Sequence, residues 1–135
     1  MADNIRLEIV TPEKRVVSED VQIVMAPGSE GEFGVLDGHT PFLTALKVGM
    51  VRFKDADGKE CGVFVSGGFA EALADRVTIL AESAERRRDI DVERAKAAME
   101  RAEKRLNGDR NEIDEVRAKA ALARAIHRLS AVETR

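Results

Sequence analysis

The sequence lacks most of the residues that build disulfides, metal clusters and membrane spans. Cys61 is its only cysteine, so neither an internal disulfide nor a thiolate metal cluster can form, and a reducing compartment is favoured. The two histidines, His39 and His127, are too few for a histidine-based metal site. No apolar run approaches the ~20 residues that a spanning helix needs, and the residues Met1-Ala2-Asp3-Asn4 predict no signal peptide.

Signatures of catalysis are also missing. Ser66 lacks the flanking pattern of a nucleophile elbow, because position 64 is phenylalanine. The glycine-rich segment 28–41 contains no phosphate-binding glycine motif, and its carboxylates would repel phosphate. Cys61 lies in a strand pattern, which favours a buried thiol over a nucleophile. We therefore expect a non-catalytic protein that requires no cofactor.

Proline, glycine and aromatic residues are almost confined to the first part of the chain. All three prolines, all five phenylalanines and nine of the ten glycines precede residue 85, and Gly108 is the exception. Alanine, glutamate, arginine and lysine fill the rest, a mixture that favours helix. The stretch 84–91 therefore predicts a boundary between a β domain at residues 1–84 and a helical arm at residues 85–135.

Alternation of apolar and polar residues predicts short strands in the first domain. The predicted strands are 5–10, 16–17, 21–25, 42–46, 50–53, 63–65, 69–73 and 77–80, with turns at 11–14, at 55–58 and around Asp75. No segment has room for a crossover helix, so the pattern indicates an antiparallel β-sandwich or flattened barrel. Segment 28–41 is expected to be a rim of turns that presents Glu32 and His39 to a protein partner. The Ser66-Gly67-Gly68 sequence predicts a bulge or a close packing point.

Two helices are predicted in the arm, joined by a connection short enough to form an antiparallel hairpin. Asp89 or Asp91 is expected to cap the first helix, and Asn107-Gly108 to end it with a left-handed cap. The predicted inner faces are Ile90, Ala95, Ala98, Met99, Ala102 and Leu106, and Ile113, Val116, Ala120, Leu122, Ile126 and Leu129. These faces contain few large apolar side chains, so the helices should persist while their packing is marginal. The fold class is therefore segregated α+β, with an arm that is able to swing or extend.

Charge is divided unequally between the two parts. Residues 1–84 carry 8 Lys/Arg and 14 Asp/Glu, whereas residues 85–135 carry 14 and 11. A basic arm on an acidic body predicts a partner with an acidic patch. Nucleic acid is disfavoured, because the arm has no aromatic residue for stacking and interleaves glutamate with its arginines.

Four segments, in this order, resemble the epsilon subunit of bacterial F-type ATP synthases over essentially the whole chain. They are Gly28-x-x-Gly31-Glu32-Phe33-Gly34-Val35-Leu36-x-x-His39-x-Pro41, Ser66-Gly67-Gly68-Phe69, Val77-Thr78-Ile79-Leu80-Ala81-Glu82 and Ile90-Asp91-x-x-Arg94-Ala95. The resemblance implies a β-sandwich that binds the gamma subunit and the c-ring, as part of the rotor stalk that couples proton-driven rotation to ATP synthesis. It also implies a hairpin that extends along gamma toward the catalytic alpha and beta subunits and blocks ATP hydrolysis. Such a protein lies peripherally on the cytoplasmic face of the bacterial inner membrane, held there through the c-ring.

The resemblance also implies contact residues. Glu32 and His39 correspond to the edge of the sandwich that faces the c-ring. The cations expected to meet an acidic loop of the beta subunit are Arg117, Lys119, Arg124 and Arg128. A solvated helix face is the alternative for each of these cations.

Some members of the family bind ATP in the folded hairpin. The matching positions are Glu85, Ile90, Asp91, Arg94, Ala95, Arg101, Arg124 and Arg128. Guanidinium groups from two helices can grip phosphates, and such binding would lock the hairpin shut. The alternative is that Asp91 only caps a helix and Arg94 is a surface cation. Two roles stay open for Arg86, Arg87 and Arg88, namely phosphate binding and contact with gamma.

Two other functions remain as alternatives. One is an ATP-binding sensor module, and the other is a stand-alone adaptor with a basic coiled-coil arm.

Overall fold

The computed structural model describes residues 4–108 and 112–133, with side chains described at all of these positions except 112–114 and 133. The contacts divide the chain into two units, Met1–Arg86 and Arg87–Arg135. The first unit contains β1 (Ile5–Val10), β2 (Arg15–Gly28), β3 (Gly31–Val35), β4 (Phe42–Asp55), β5 (Glu60–Ala72), β6 (Arg76–Ala81) and β7 (Ala84–Arg86). The second contains a single 3₁₀ turn (Arg87–Asp89), α1 (Val92–Asn107) and α2 (Glu112–Glu133). The predicted fold class, strands followed by a helical hairpin, is confirmed.

The strands of the first unit form a sheet that closes on itself. The strand order is β1-β6-β5-β4-β2-β3, and β1 also pairs with β2. Neighbouring strands are antiparallel except β1 and β6, which run parallel. Closure leaves few free strand edges, and apolar residues that alternate along the strands fill the interior. The buried core includes Ile5, Leu7, Ile9, Val17, Val21, Val24, Val51, Phe53, Val63, Val65, Val77 and Ile79.

Three strands are longer than the sequence pattern predicts. Strands β2, β4 and β5 have 14, 14 and 13 residues, and each joins segments that were predicted as separate strands. The prediction of a rim of turns at 28–41 is wrong at Gly31–Val35, which forms strand β3 and pairs with β2. Two glycines in this strand weaken the alternating signal, because Gly31 adds no side chain to the inner face and Gly34 adds none to the outer face. Phe33 and Val35, on the inner face, still pack against the core.

Gly67 and Gly68 mark the place where β5 changes its partner. Strand β5 pairs with β7 up to Val65 and with β6 from Gly68 onward. The two glycines have φ angles of 108° and 134°, a region that other residues rarely adopt. A Cβ atom on Gly68 would overlap the carbonyl oxygen of Leu80 and lie 2.8 Å from the Cα of Ala81. The predicted close packing point is therefore confirmed.

The helices of the second unit begin and end close to the predicted positions. Oδ1 of Asp91 accepts a hydrogen bond of 3.0 Å from the backbone N–H of Arg94, so Asp91 is the N-cap of α1. Helix α1 ends at Asn107 as predicted. The predicted left-handed cap is wrong, because Gly108 is extended, with φ −98° and ψ −173°.

Among the described side chains of both helices, alanine provides the buried positions. Ala95 and Ala102 are buried in α1, and Ala118, Ala125 and Ala131 are buried in α2. The predicted inner face of α1 is confirmed, since its other members are partly buried. The predicted inner face of α2 is wrong at Val116, Ala120 and Ile126, which are exposed, whereas Leu122 and Leu129 are partly buried. The side chain of Ile113 lies outside the described residues.

Replacing Gly68 tests the close approach of β5 and β6. We expect Gly68→Ala to lower the free energy of unfolding by more than about 2 kcal/mol, because the new Cβ meets backbone and the φ angle is unfavourable. Gly34→Ala is the control, since its nearest neighbours would lie at an ordinary 3.8 Å. Urea denaturation measures both variants, and equal stabilities would contradict this explanation.

Candidate functional site

One outward face of the sheet carries a row of exposed apolar side chains. The register aligns Ala45, Phe69, Leu80 and Val10 across four neighbouring strands, and Leu43 lies two residues from Ala45 on the same side of β4. Leu43, Phe69 and Leu80 are 71%, 56% and 56% exposed. Ala45 and Val10 are partly buried. We call these five residues the apolar row. Contiguous exposed apolar side chains of this size mark surfaces that bind other proteins.

A charged cluster borders this row on strands β1 and β2. Oε1 of Glu8 accepts hydrogen bonds from the Ser18 hydroxyl at 2.9 Å and from Nε of Arg6 at 3.3 Å, and Nε of Arg15 lies 3.3 Å from Oε2. Burial raises the pKa of Glu8, but these hydrogen bonds and the two arginine charges outweigh burial and hold the pKa below its usual range. Glu8 is therefore ionised at neutral pH, and the cluster gives the apolar row a polar border.

The structure places Glu32 and His39 in different kinds of segment. Glu32 lies in strand β3 and forms an ion pair with Arg52 of β4. His39 lies in the turn before β4, where its Nδ1 is 2.6 Å from the carbonyl oxygen of Thr40. The ring of Phe42 contacts His39 at 5.1 Å and Phe33 at 5.0 Å between centroids. Phe42 therefore holds the turn of His39 against the strand that carries Glu32.

The positions of the arginines on the hairpin follow from the buried alanines that come directly after them. Arg94, Arg101, Arg117 and Arg124 each directly precede a buried alanine. Each buried alanine marks a position where one helix contacts the other. In a pair of antiparallel helices, the residues directly before these contact positions lie on the same side of the pair in both helices. We call these four residues and Arg128, one turn after Arg124, the arginine edge. Lys119 follows Ala118, so it lies on the opposite edge, where its Nζ is 3.1 Å from Oε1 of Glu115.

The arginine edge includes four of the eight residues that sequence analysis assigns to ATP. Arg94, Arg101, Arg124 and Arg128 share this edge, and Asp91 caps α1 beside Arg94. Ile90 and Ala95 are buried. Glu85 lies in strand β7, which belongs to the other unit. Of the four cations predicted to contact the beta subunit, the edge includes Arg117, Arg124 and Arg128 but not Lys119.

The three consecutive arginines have different surroundings. Arg86 is partly buried and contacts strand β2, where its Nε donates to the carbonyl oxygen of Val16 at 3.3 Å. Arg87 is partly buried in the 3₁₀ turn. Arg88 is exposed, and its Nε lies 4.0 Å from Oδ1 of the adjacent Asp89.

Comparison with known proteins gives the family. Residues 4–87 match the β-sandwich domain of the ATP synthase delta/epsilon chain, and residues 88–133 match its long α-helix domain. An ATP synthase epsilon chain from Desulforapulum autotrophicum is 68% identical over 107 residues, which cover 79% of each chain. One from Desulfosudis oleivorans is 67% identical over 106 residues, covering 78% of this chain and 80% of that one.

The chain belongs to the epsilon chains of F-type ATP synthases. Solved structures agree with this membership. A chain in the Euglena gracilis mitochondrial ATP synthase, in a structure of its OSCP, F1 and c-ring, matches with a TM-score of 0.85 at 25% identity. It covers 98% of this chain and 83% of that one. A chain of the Tetrahymena thermophila central stalk and c-ring shares the fold, with a TM-score of 0.62 at 17% identity over 95% and 96% of the chains.

Sequence analysis of this epsilon chain missed two features of the surface. The apolar row was missed because Phe69 and Leu80 were read only as strand residues. Their buried neighbours Ala70 and Ile79 already imply that they point outward. The arginine edge was missed although Arg-Ala recurs at a spacing of seven residues within each helix. Among the described helices, none has the length and apolar character that a membrane span needs.

Proposed function

We propose that this epsilon chain is a non-catalytic part of the central rotor stalk. In this proposal its sandwich joins the gamma subunit to the c-ring, and its hairpin restrains ATP hydrolysis by the alpha and beta subunits. The chain then lies peripherally on the cytoplasmic face of the bacterial inner membrane, attached through the c-ring. The observation that carries the proposal is a closed sheet with an exposed apolar row, followed by a hairpin whose buried positions are all alanine within the described residues.

The apolar row suits the gamma subunit, which has to remain bound throughout rotation. Phe69 and Leu80 lie directly opposite each other on adjacent strands, so they present one continuous surface. Burying large apolar side chains of this kind contributes roughly 1.5–3 kcal/mol each. The edge of the sandwich that carries Glu32 and His39 is the part that we assign to the c-ring. Glu32 and the turn of His39 are joined there through the aromatic contacts of Phe42.

Polar replacement in the apolar row should weaken binding to gamma. We expect the double variant Phe69→Ser/Leu80→Ser to bind purified gamma at least 30-fold more weakly, because two central apolar contacts are lost. Leu36→Ser is the matched control, since Leu36 is equally exposed but lies in the turn after β3. Affinity is measured by calorimetry, and urea unfolding checks that the fold is intact. Equal weakening by both variants would contradict this assignment.

The composition of the hairpin supports the regulatory part of the proposal. Alanine allows two helices to approach closely, but it buries little apolar surface, so separating the helices costs little. The arginine edge offers an acidic partner a continuous cationic surface. Such a hairpin can exchange its internal contacts for contacts with the catalytic subunits.

Removing the hairpin should therefore release hydrolysis. The sequence predicts the domain boundary between residues 84 and 85, but strand β7 extends to Arg86, so truncation after Arg86 leaves the sheet intact. We expect the truncated chain to assemble normally and to raise ATP hydrolysis by the isolated catalytic complex at least twofold. Hydrolysis assays over a range of ATP concentrations measure this effect. Unchanged activity at every concentration would contradict the inhibitory role.

A second function, ATP binding by the folded hairpin, is favoured by the arginine edge. Arg94 and Arg101 on α1 share this edge with Arg124 and Arg128 on α2. Guanidinium groups pair strongly with phosphate, and the N-terminus of α1 next to Asp91 adds a favourable dipole. A ligand held by both helices would stabilise the folded hairpin and oppose its extension.

Titration calorimetry with ATP tests this second function. We expect Arg124→Ala to weaken ATP binding at least tenfold, because a cation that faces the phosphates is lost. Lys119→Ala removes a cation from the opposite edge and should leave the affinity unchanged. The absence of binding heat with the unmodified chain at millimolar ATP, or equal weakening by both variants, would contradict it.

A further inference from the structure

The chain leaves the sheet through a very short strand. Strand β7 contains only Ala84, Glu85 and Arg86, and it pairs with Val63–Val65 of β5. The boundary between the two units follows directly after Arg86. A three-residue strand makes few backbone hydrogen bonds, so its attachment depends on side-chain contacts as well.

Arg86 supplies such a contact by reaching a strand that β7 does not pair with. Its Nε donates to the carbonyl oxygen of Val16 at 3.3 Å, and its Nη2 lies 3.9 Å from Oε2 of Glu19. Both partners are in β2, and the side chain of Arg86 is only 24% exposed. Arg88, two residues later, is 76% exposed and pairs with its neighbour Asp89. The hydrogen bond and the ion pair of Arg86 therefore connect β7 to β2 through a side chain that is largely shielded from water.

Cys61 lies in the same region and provides a natural reporter. It packs, partly buried, against the core, and its thiol lies close enough to Glu19 and Arg86 for their charges to act on it. Burial raises the pKa of the Cys61 thiol, and the charges of Asp55 and Glu19 raise it further, against the lowering effect of Lys59 and Arg86. A thiol of this kind reacts slowly while the region stays closed.

We propose that Arg86 is a positioning residue, which fixes the start of the helical arm by tying β7 to β2. The hinge of the arm is thereby confined to residues 87–91, between the last strand and α1. If β7 detaches, its three residues add up to about 10 Å of free chain to this connection. A longer connection lowers the effective concentration of the arm at its target. The expected effect of Arg86 on inhibition rests on the proposed inhibitory function. The contact of Arg86 with β2 does not depend on that function.

The contact is tested on the full chain alone. Arg86→Met keeps the apolar stem and removes the guanidinium, Arg86→Lys restores a charged donor, and Arg88→Met is the matched exposed control. We expect Arg86→Met to speed amide exchange at residues 84–86 at least tenfold. It should also speed the reaction of Cys61 with Ellman's reagent at least fivefold, because the gain in access outweighs the rise in thiol pKa that follows loss of the Arg86 charge. Amides of the β4–β5 pair should stay unchanged, Arg86→Lys should lie within threefold of the unmodified chain, and Arg88→Met should have no effect. Unchanged exchange at 84–86, or the same increase with Arg88→Met, would overturn the proposal.

The consequence is tested in the assembled complex. We expect Arg86→Met to reduce inhibition of ATP hydrolysis at least threefold with helix content unchanged by circular dichroism, and Arg86→Lys to restore it. Full inhibition by Arg86→Met, despite faster exchange at 84–86, would overturn the positioning role. Truncation after Arg86 separates the two proposals. If truncation fails to release hydrolysis, the inhibitory function fails, while the exchange result still decides whether Arg86 ties β7 to β2.

Discussion

The alanine contact between α1 and α2 is the constraint on which the rest of the account depends. Every buried position within the described parts of these helices is alanine. Each alanine removes little more than a methyl group from water, worth about 0.8 kcal/mol per CH₂ group. The intrinsic helix propensity of alanine, arginine, lysine and glutamate keeps each helix formed, whereas little free energy holds the pair together. Opening the hairpin would therefore separate two helices without unfolding them, as the proposed regulatory role of the arm requires.

The sandwich has the opposite character. Its sheet closes through the pairing of β1 with both β2 and β6, and valine, isoleucine and phenylalanine fill its interior. Gly68 permits the close approach of β5 to β6, because a Cβ atom at this position would overlap the carbonyl oxygen of Leu80. A stable body of this kind can stay bound through the apolar row while the arm changes its contacts. The two parts thus suit the two roles that we propose for them, permanent attachment in the rotor stalk and reversible inhibition.

Sequence patterns predicted the elements that depend on contrast between apolar and polar residues. The fold class and the inner face of α1 follow from such contrast and are confirmed. The N-cap at Asp91, one of the two candidates, follows instead from the hydrogen-bonding capacity of aspartate. Strand β3 was missed, because Gly31 and Gly34 contribute no side chain to the pattern. The inner face of α2 was misassigned to Val116 and Ile126, since hydrophobicity alone does not rank alanine as the buried residue. The roles of Glu32, His39 and the ATP-linked residues came from family resemblance, and they stay predictions. The arginine edge requires the helix pairing itself, because it joins residues from two helices.

Native-state hydrogen exchange of the full chain tests the central claim most directly. The account predicts that amides of α1 and α2 near Ala102 and Ala118 open with a free energy at least about 2 kcal/mol lower than amides of the β4–β5 pair. Equal protection of the helices and the inner strands would mean that the hairpin opens only when the whole protein unfolds, and it would contradict the account.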